Sequence, residues 1–299
     1  MDIVQALILG VVEGITEFLP ISSTGHMILA SWLLQMQNTE FLKSFEIAIQ
    51  LGAILAVVLL YYKRFLQGKE IYIRLALAFL PAAVIGFALH KIIKGLFSPT
   101  IVAINLILGG LILLVVNRDL ETKEPAYEDV AQMSYKNALL IGLCQCVALI
   151  PGVSRAGATI IGGIYNGCDK KMATEFSFLL AIPTMLAATA YDLYKNHDFQ
   201  SQQFAMLAIG FVMAFVSAVL AIKLFIELVV RYGFKGFAWY RIALGALVLV
   251  ALLMGAPLQQ EPDQKQPAVA PSAAGLAAVR VAAAIQSKPQ SPATEALIH

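Results

Sequence analysis

Long apolar runs separated by short polar links make up most of this chain. Runs near residues 45–62, 71–90, 99–117, 170–194, 204–229 and 236–254 are each close to the ~20 residues that cross ~30 Å of hydrocarbon. They predict six full transmembrane helices. Two further stretches, 2–36 and 138–168, are apolar but broken in the middle. One break reads Phe18-Leu19-Pro20-Ile21-Ser22-Ser23-Thr24-Gly25, the other Pro151-Gly152-Val153-Ser154-Arg155-Ala156-Gly157. The pieces on either side are too short to span comfortably. Non-helical backbone at membrane depth is tolerated only where it is buried in protein or lines a wet cavity. Both stretches therefore predict re-entrant helix–break–helix hairpins, in an all-α integral membrane fold.

The two halves look related. Leu7-Ile8-Leu9-Gly10 matches Leu139-Leu140-Ile141-Gly142, and Tyr62-Lys63 matches Tyr194-Lys195, both at an offset of 132. Pro20 matches Pro151 and Ser23 matches Ser154 at 131. Each repeat, about 1–117 and 138–254, holds one hairpin and three spans. An odd number of crossings turns the second copy upside down, which predicts an inverted-topology repeat with its site where the broken helices meet. Residues 1–255 form one membrane domain. Residues 256–299 hold six of the twelve prolines and no Phe, Tyr, Trp or Cys, so they predict a disordered Pro/Ala-rich tail.

Composition agrees with this pattern. The 299 residues are 59% hydrophobic and 13% charged, with a mean hydropathy of +0.77, against roughly 25% charged in soluble domains. That excludes a soluble enzyme and a disordered protein. A net charge of +2 gives no footprint for nucleic acid, so the partners predicted are membrane lipids. Cys144, Cys146 and Cys168 lie among apolar residues, which argues against a disulfide framework. Met1-Asp2-Ile3 lacks the basic start of a signal peptide, and Glu13 and Glu17 interrupt its would-be apolar core.

Basic residues set the expected orientation. Twelve (Lys63, Arg64, Lys69, Arg74, Arg118, Lys123, Lys136, Lys170, Lys171, Arg231, Lys235, Arg241) fall on one side, and four (Lys43, Lys91, Lys94, Lys195) on the other. The twelve are assigned to the cytoplasm, so the first hairpin enters from outside.

Chemistry concentrates at the breaks. Glu13 and Glu17 are four apart and share a helix face. Two carboxylates at membrane depth need a cation, a proton or water. They suit a divalent cation, Mg²⁺ or Ca²⁺, or an acid/base pair; the plainer reading is a structural pair. Pro20 ends the first half-helix. Ser22, Ser23 and Thr24 then suit a helix start, both as caps and as an anion site with free N–H groups. His26 follows Ser23 by one turn and could serve as base or acid, although a lone His there is more often structural. The second break offers Ser154 and Arg155. A buried Arg needs an anionic partner, and a planar bidentate donor suits phosphate; an ion pair to Glu13 or Glu17 for structure alone is the alternative. Gln50, a turn into the following span, could line the same cavity. Together these are the parts for phosphoryl transfer. Gln145, Asn105, Glu175 and the other polar residues within spans read as interhelical hydrogen bonds or span ends.

The stretch from Glu13 through His26 resembles the first signature of the bacterial undecaprenyl-diphosphate phosphatase family, the bacitracin-resistance type. Pro151 through Thr159 resembles the second, and Phe45-Glu46 through Gly52 and Glu175 through Ala181 are also similar. The likeness covers about residues 1–254. It implies hydrolysis of undecaprenyl diphosphate to the monophosphate carrier reused in cell-wall synthesis, with resistance to bacitracin, which sequesters that substrate. It also implies an inner-membrane protein whose site opens to the outer, periplasmic face and depends on a divalent cation. Glu13 and Glu17 match the paired glutamates, Ser23 and His26 the nucleophile and its neighbour, and Arg155 the phosphate-binding arginine. One departure stands out: the second signature usually reads Pro-Gly-x-Ser-Arg-Ser-Gly, and here the second serine is Ala156. The competing class is a transporter or flippase of the lipid phosphate or a small anion, since inverted repeats are also a transporter plan. A non-catalytic scaffold is disfavoured by the cost of intramembrane charges. The sequence leaves monomer and homodimer open.

Overall fold

The computed structural model describes residues 1–37, 39–66, 68–119, 125–127, 129–195, 201–256 and 258. The tail expected at 256–299 thus lies almost wholly outside the described residues. Everything regular among them is helical: α1 Ile3–Thr16, α2 Ser23–Leu33, α3 Glu40–Phe65, α4 Glu70–Ala88, α5 His90–Gly95, α6 Pro99–Asp119, α7 Tyr135–Val147, α8 Arg155–Tyr165, α9 Lys170–Lys195, α10 Ser201–Tyr232 and α11 Lys235–Leu253. Six of these, α3, α4, α6, α9, α10 and α11, are long and apolar enough to cross a membrane, and they are the six read from the apolar runs. Several extend a few residues beyond those runs, because polar ends continue the helix past the hydrocarbon: α3 starts at Glu40 and ends beside Lys63 and Arg64.

The other helices explain the breaks. α1 has 14 residues and α7 has 13, about 20 Å each at 1.5 Å per residue. α2 and α8 have 11 each. All four are too short to cross ~30 Å. α1 begins with a capping box between Asp2 and Gln5. It ends where Pro20 cannot supply a helical N–H. α2 and α8 then start from Ser22 and Ser154, whose φ values are 69° and 75°. Ser22, rather than the Ser23 aligned from sequence, thus holds the place of Ser154, and the two share a backbone conformation that L-residues rarely adopt.

Packing also repeats between the halves. α1 lies against α10, and α7 lies against α4. The seam in each case is a glycine: a Cβ at Gly10 would sit 2.6 Å from the Gly210 carbonyl, and one at Gly142 would sit 2.4 Å from the Ala78 carbonyl. α3 packs on α9 and α6 on α11. Each half therefore closes over the short helix pair of the other. An aromatic ladder fills the centre, with Phe18 edge-on to Phe178 at 5.4 Å and Phe178 leading to Phe225 at 6.0 Å. Phe18 is fully buried, so the first break is anchored in the core. At one end of the bundle, Arg64 of α3 pairs with Glu175 of α9 and with Asp129, both at 2.9 Å. The cysteines are free, as their surroundings predict.

Candidate active site

The two breaks meet at a cavity of about 220 Å³. Glu17, Ser22, Ser23, Thr24, Gln50, Ser154 and Arg155 all line it, so seven positions picked from the sequence come together. Ser23 is the first residue of α2, and its hydroxyl donates to Glu17 Oε2 at 2.6 Å. Glu17 Oε1 accepts from Arg155 Nη2 at 3.0 Å. One carboxylate thereby joins the hydroxyl of the first break to the guanidinium of the second. Arg155 Nη1 donates to the Ser177 carbonyl at 2.9 Å, and its guanidinium sits over the Phe18 ring at 5.6 Å. Its Nε–H is buried and has no partner among the described residues.

The two helix starts differ. Ser154 caps α8 by accepting from the Gly157 N–H at 3.1 Å. Ser22 occupies the equivalent position at α2, but its side chain makes no capping bond, and its Oγ is buried without a partner. A free hydroxyl, an unpaired guanidinium N–H and an uncapped helix start around one cavity form a donor set for an anion.

Glu13 and His26 sit elsewhere. Glu13 is 1% exposed, one turn below Glu17, and does not line the cavity; its Oε1 is buried without a partner. His26 turns away. Its Nδ1 lies 2.8 Å from the Ser22 carbonyl and its Nε2 lies 2.8 Å from the Tyr240 hydroxyl. A carbonyl oxygen only accepts, so Nδ1 carries the proton and the neutral ring's Nε2 accepts from Tyr240. Neither nitrogen hydrogen-bonds Ser23; the only acceptor that meets its hydroxyl among the described residues is Glu17.

Three residues were missed. Gln145 is 2% exposed and lines the cavity with Thr184. It occupies the place in α7 that Glu13 holds in α1, 132 residues on. Thr184 donates to Gln145 Oε1 at 3.2 Å, and Gln145 Nε2 donates to the Ala78 carbonyl at 3.4 Å. The repeat offset was the signal that could have found it. Arg241 was assigned to a cytoplasmic span end. It is instead 1% exposed and donates to the carbonyls of Pro20, Gly152 and Val153 in the two breaks. Its six-residue distance from the start of α11 looked peripheral because nothing local reveals carbonyl partners so far away in the chain. Removing it leaves eleven basic residues against four. Ala156 is fully buried in the core and does not line the cavity, so the missing hydroxyl removes no contact there.

A divalent cation fits this donor set only in company. Glu17 has both oxygens engaged, while Glu13 offers a bare buried oxygen, the hard donor that Mg²⁺ and Ca²⁺ prefer. Among the described residues no three carboxylate, imidazole or thiol groups converge into a protein cage. Substrate phosphate oxygens would complete the shell, as is usual for Mg²⁺.

Six spans and a buried, anion-receptive cavity between paired broken helices define a multi-pass membrane protein with an internal polar site. Comparison with known proteins gives the family. The family model described as bacitracin resistance protein BacA matches residues 6–247. The chain is 54% identical over 254 residues to the undecaprenyl-diphosphatase of Persephonella marina, covering 85% of this chain and 100% of that protein. It is 50% identical to that of Wolinella succinogenes over 253 residues, 84% and 99% of the two chains. It is 49% identical to that of Aquifex aeolicus over 253 residues, 84% and 98%. The chain belongs to the bacitracin resistance protein BacA family.

Proposed function

We propose that this chain hydrolyses undecaprenyl diphosphate to undecaprenyl phosphate and inorganic phosphate in the bacterial inner membrane, and so confers bacitracin resistance. Relatives of this name match it over nearly their whole length, and the Ser23–Glu17–Arg155 chain supplies the chemistry that a lipid carrier or scaffold would not need. That chain is the observation that carries the reading.

The terminal phosphate rests between the α2 and α8 starts, against the Arg155 Nε–H and the Ser22 hydroxyl. Ser23 Oγ attacks its phosphorus while Glu17 Oε2 takes the hydroxyl proton. The bond to the bridging oxygen breaks, and the lipid monophosphate leaves with the electron pair and takes up the proton from Glu17, which is again free to act as base. Water then attacks the phosphoserine, Glu17 accepts its proton, and inorganic phosphate leaves as Ser23 is reprotonated. Glu13 and Glu17 would hold a Mg²⁺ or Ca²⁺ ion, which neutralises phosphate charge when bound. The isoprenoid chain lies among the apolar helices.

The halves form an inverted repeat with two re-entrant pairs; the matched Ser22 and Ser154 conformations and the exchanged α1–α10 and α7–α4 packing support this. The site opens to the outer face. Phe97, in the sparsely basic α5–α6 link, lines the cavity, and the eleven-to-four basic asymmetry favours that orientation.

The test is phosphate release from undecaprenyl diphosphate by purified protein, with and without Mg²⁺ or Ca²⁺, beside Glu17→Ala and Arg155→Ala. Cation-dependent release lost in both folded variants supports the reading. Lipid binding without release by folded wild type would overturn it in favour of transport.

A further inference from the structure

We propose that Arg241 is a positioning residue of this site: it anchors backbone carbonyls of both breaks and, through the Val153 carbonyl, turns the Ser154 N–H toward the phosphate, while the amides after Pro20 and Gly152 stay bonded within their own turns. The inference rests on the phosphatase reading above.

Arg241 sits in the middle of the α6–α11 contact, 1% exposed. Its guanidinium donates to five carbonyls: Pro20 at 3.0 Å, Gly152 at 3.1 Å, Val153 at 2.9 Å, Asn105 at 3.1 Å and Leu106 at 3.3 Å. Among the described residues no carboxylate pairs with it. A buried cation is costly unless its donors are satisfied, and here only main-chain dipoles satisfy them. Three of the five belong to the breaks. Of the cavity lining it bonds only the Gly152 carbonyl, and among the described residues no hydrogen bond joins it to Glu17 or Arg155.

Its consequence follows from peptide geometry. The described peptides are trans, so the C=O of one residue and the N–H of the next point in opposite directions. Holding the Val153 carbonyl at Nη2 aims the Ser154 N–H away from Arg241. Ser154 lines the cavity, and no protein acceptor takes its N–H among the described residues. The same guanidinium holds Pro20, so it also fixes the spacing between the two helix starts. The held carbonyls lie one and two residues before Ser154 and two before Ser22, the two residues at φ 75° and 69°. Such conformations persist only where neighbours over-determine them. A planar fork can reach carbonyls on three elements at once; a lysine ammonium, a single point with three donors, cannot.

Space for the fork is provided by Gly109. A Cβ there would sit 2.1 Å from Arg241 Nη2. Gly109→Ala therefore displaces the guanidinium while keeping its charge.

The experiment uses the full chain in detergent, as wild type, Arg241→Lys and Gly109→Ala. It measures kcat and KM for undecaprenyl diphosphate, binding of a non-hydrolysable methylene-diphosphonate prenyl analogue, the pH profile and the thermal melt. Both variants are expected to melt cooperatively. Their kcat should fall about 10²-fold, the usual cost of one misplaced oxyanion donor, with analogue binding weakened and the pH limbs unmoved. Where Arg241→Lys fails to fold, Gly109→Ala carries the test. Wild-type kcat and analogue binding in the folded variants overturn the proposal while leaving the phosphatase reading intact. Loss of folding in both also overturns it, because Arg241 is then a stability element. An inactive wild type that still binds the analogue defeats the phosphatase reading instead.

Discussion

Ser23 and Glu17 stand on opposite sides of the Pro20 break, yet the Ser23 hydroxyl donates to Glu17 Oε2 at 2.6 Å. The other oxygen of the same carboxylate accepts from Arg155. In the proposed mechanism Glu17 is thus both the proton acceptor for Ser23 and the tether for the Arg155 guanidinium. Glu17→Gln keeps the shape and removes the base. Its kcat should fall about 10³-fold, in the range of lost general-base catalysis. Ser23→Ala should abolish the phosphoserine trapped by acid quench of the wild type. A wild type that yields no phosphoserine, with Ser23→Ala still active, would favour direct attack by water.

His26 has a different part. Its Nδ1–H is spent on the Ser22 carbonyl and its Nε2 on Tyr240, so it steadies the residue that starts α2. His26→Gln should lower kcat/KM by no more than about tenfold, the effect of one hydrogen bond. Activity falls on the acid side as the base becomes protonated. With Glu17 as that base, the acid limb should persist in His26→Gln. Disappearance of the limb would return the base role to the imidazole.

How much of this was legible depends on the range of each signal. The six spans rest on local composition, and their lengths were readable. The breaks were readable too, because Pro20 and Pro151 act within a few residues. The direction of His26 was not, because its partner Tyr240 lies 214 positions away. Arg241 failed for the same reason: charge near the start of an apolar run looks like a span end until five distant carbonyls surround it. Gln145 was legible only through the 132-residue offset, which sets it at the place of Glu13.

Ala156 tests the family departure. Its side chain is buried among core residues such as Ile160 and Phe176, away from the cavity. Restoring the hydroxyl as Ala156→Ser should therefore leave KM unchanged. Stability should drop by about 1 kcal/mol, the cost of burying a hydroxyl with an imperfect partner, read from a denaturation midpoint. A several-fold fall in KM would instead place position 156 in contact with phosphate.

Gln145 and Thr184 bond each other and give the cavity a neutral polar lining beside Glu17 and Arg155. Thr184→Val and Gln145→Leu should each raise KM up to about tenfold through a lost hydrogen bond. Gln145→Glu is the sharper variant, since it adds a carboxylate facing a diphosphate. Its KM should rise further than that of Gln145→Leu although Glu keeps the shape of the native Gln, and the excess should shrink as salt screens the repulsion. Equal KM values for the two variants would show that position 145 does not face charge.

Glu13 carries the last prediction. Its Oε1 is a buried acceptor with nothing to accept among the described residues, while each Glu17 oxygen already accepts one hydrogen bond, from Ser23 or from Arg155. A cation bound with the diphosphate would use that oxygen, whereas a proton-shuttling Glu13 would act independently of cation concentration. The two roles separate in a titration of activity against Mg²⁺ after chelation. Glu13→Gln should raise the half-activating Mg²⁺ concentration at least roughly tenfold, by analogy with the 10–100-fold effects of weakened metal shells. Saturating Mg²⁺ should recover much of kcat. An unchanged Mg²⁺ dependence with a lower plateau would assign Glu13 to proton transfer, because the defect would then lie in the chemical step rather than in holding the ion.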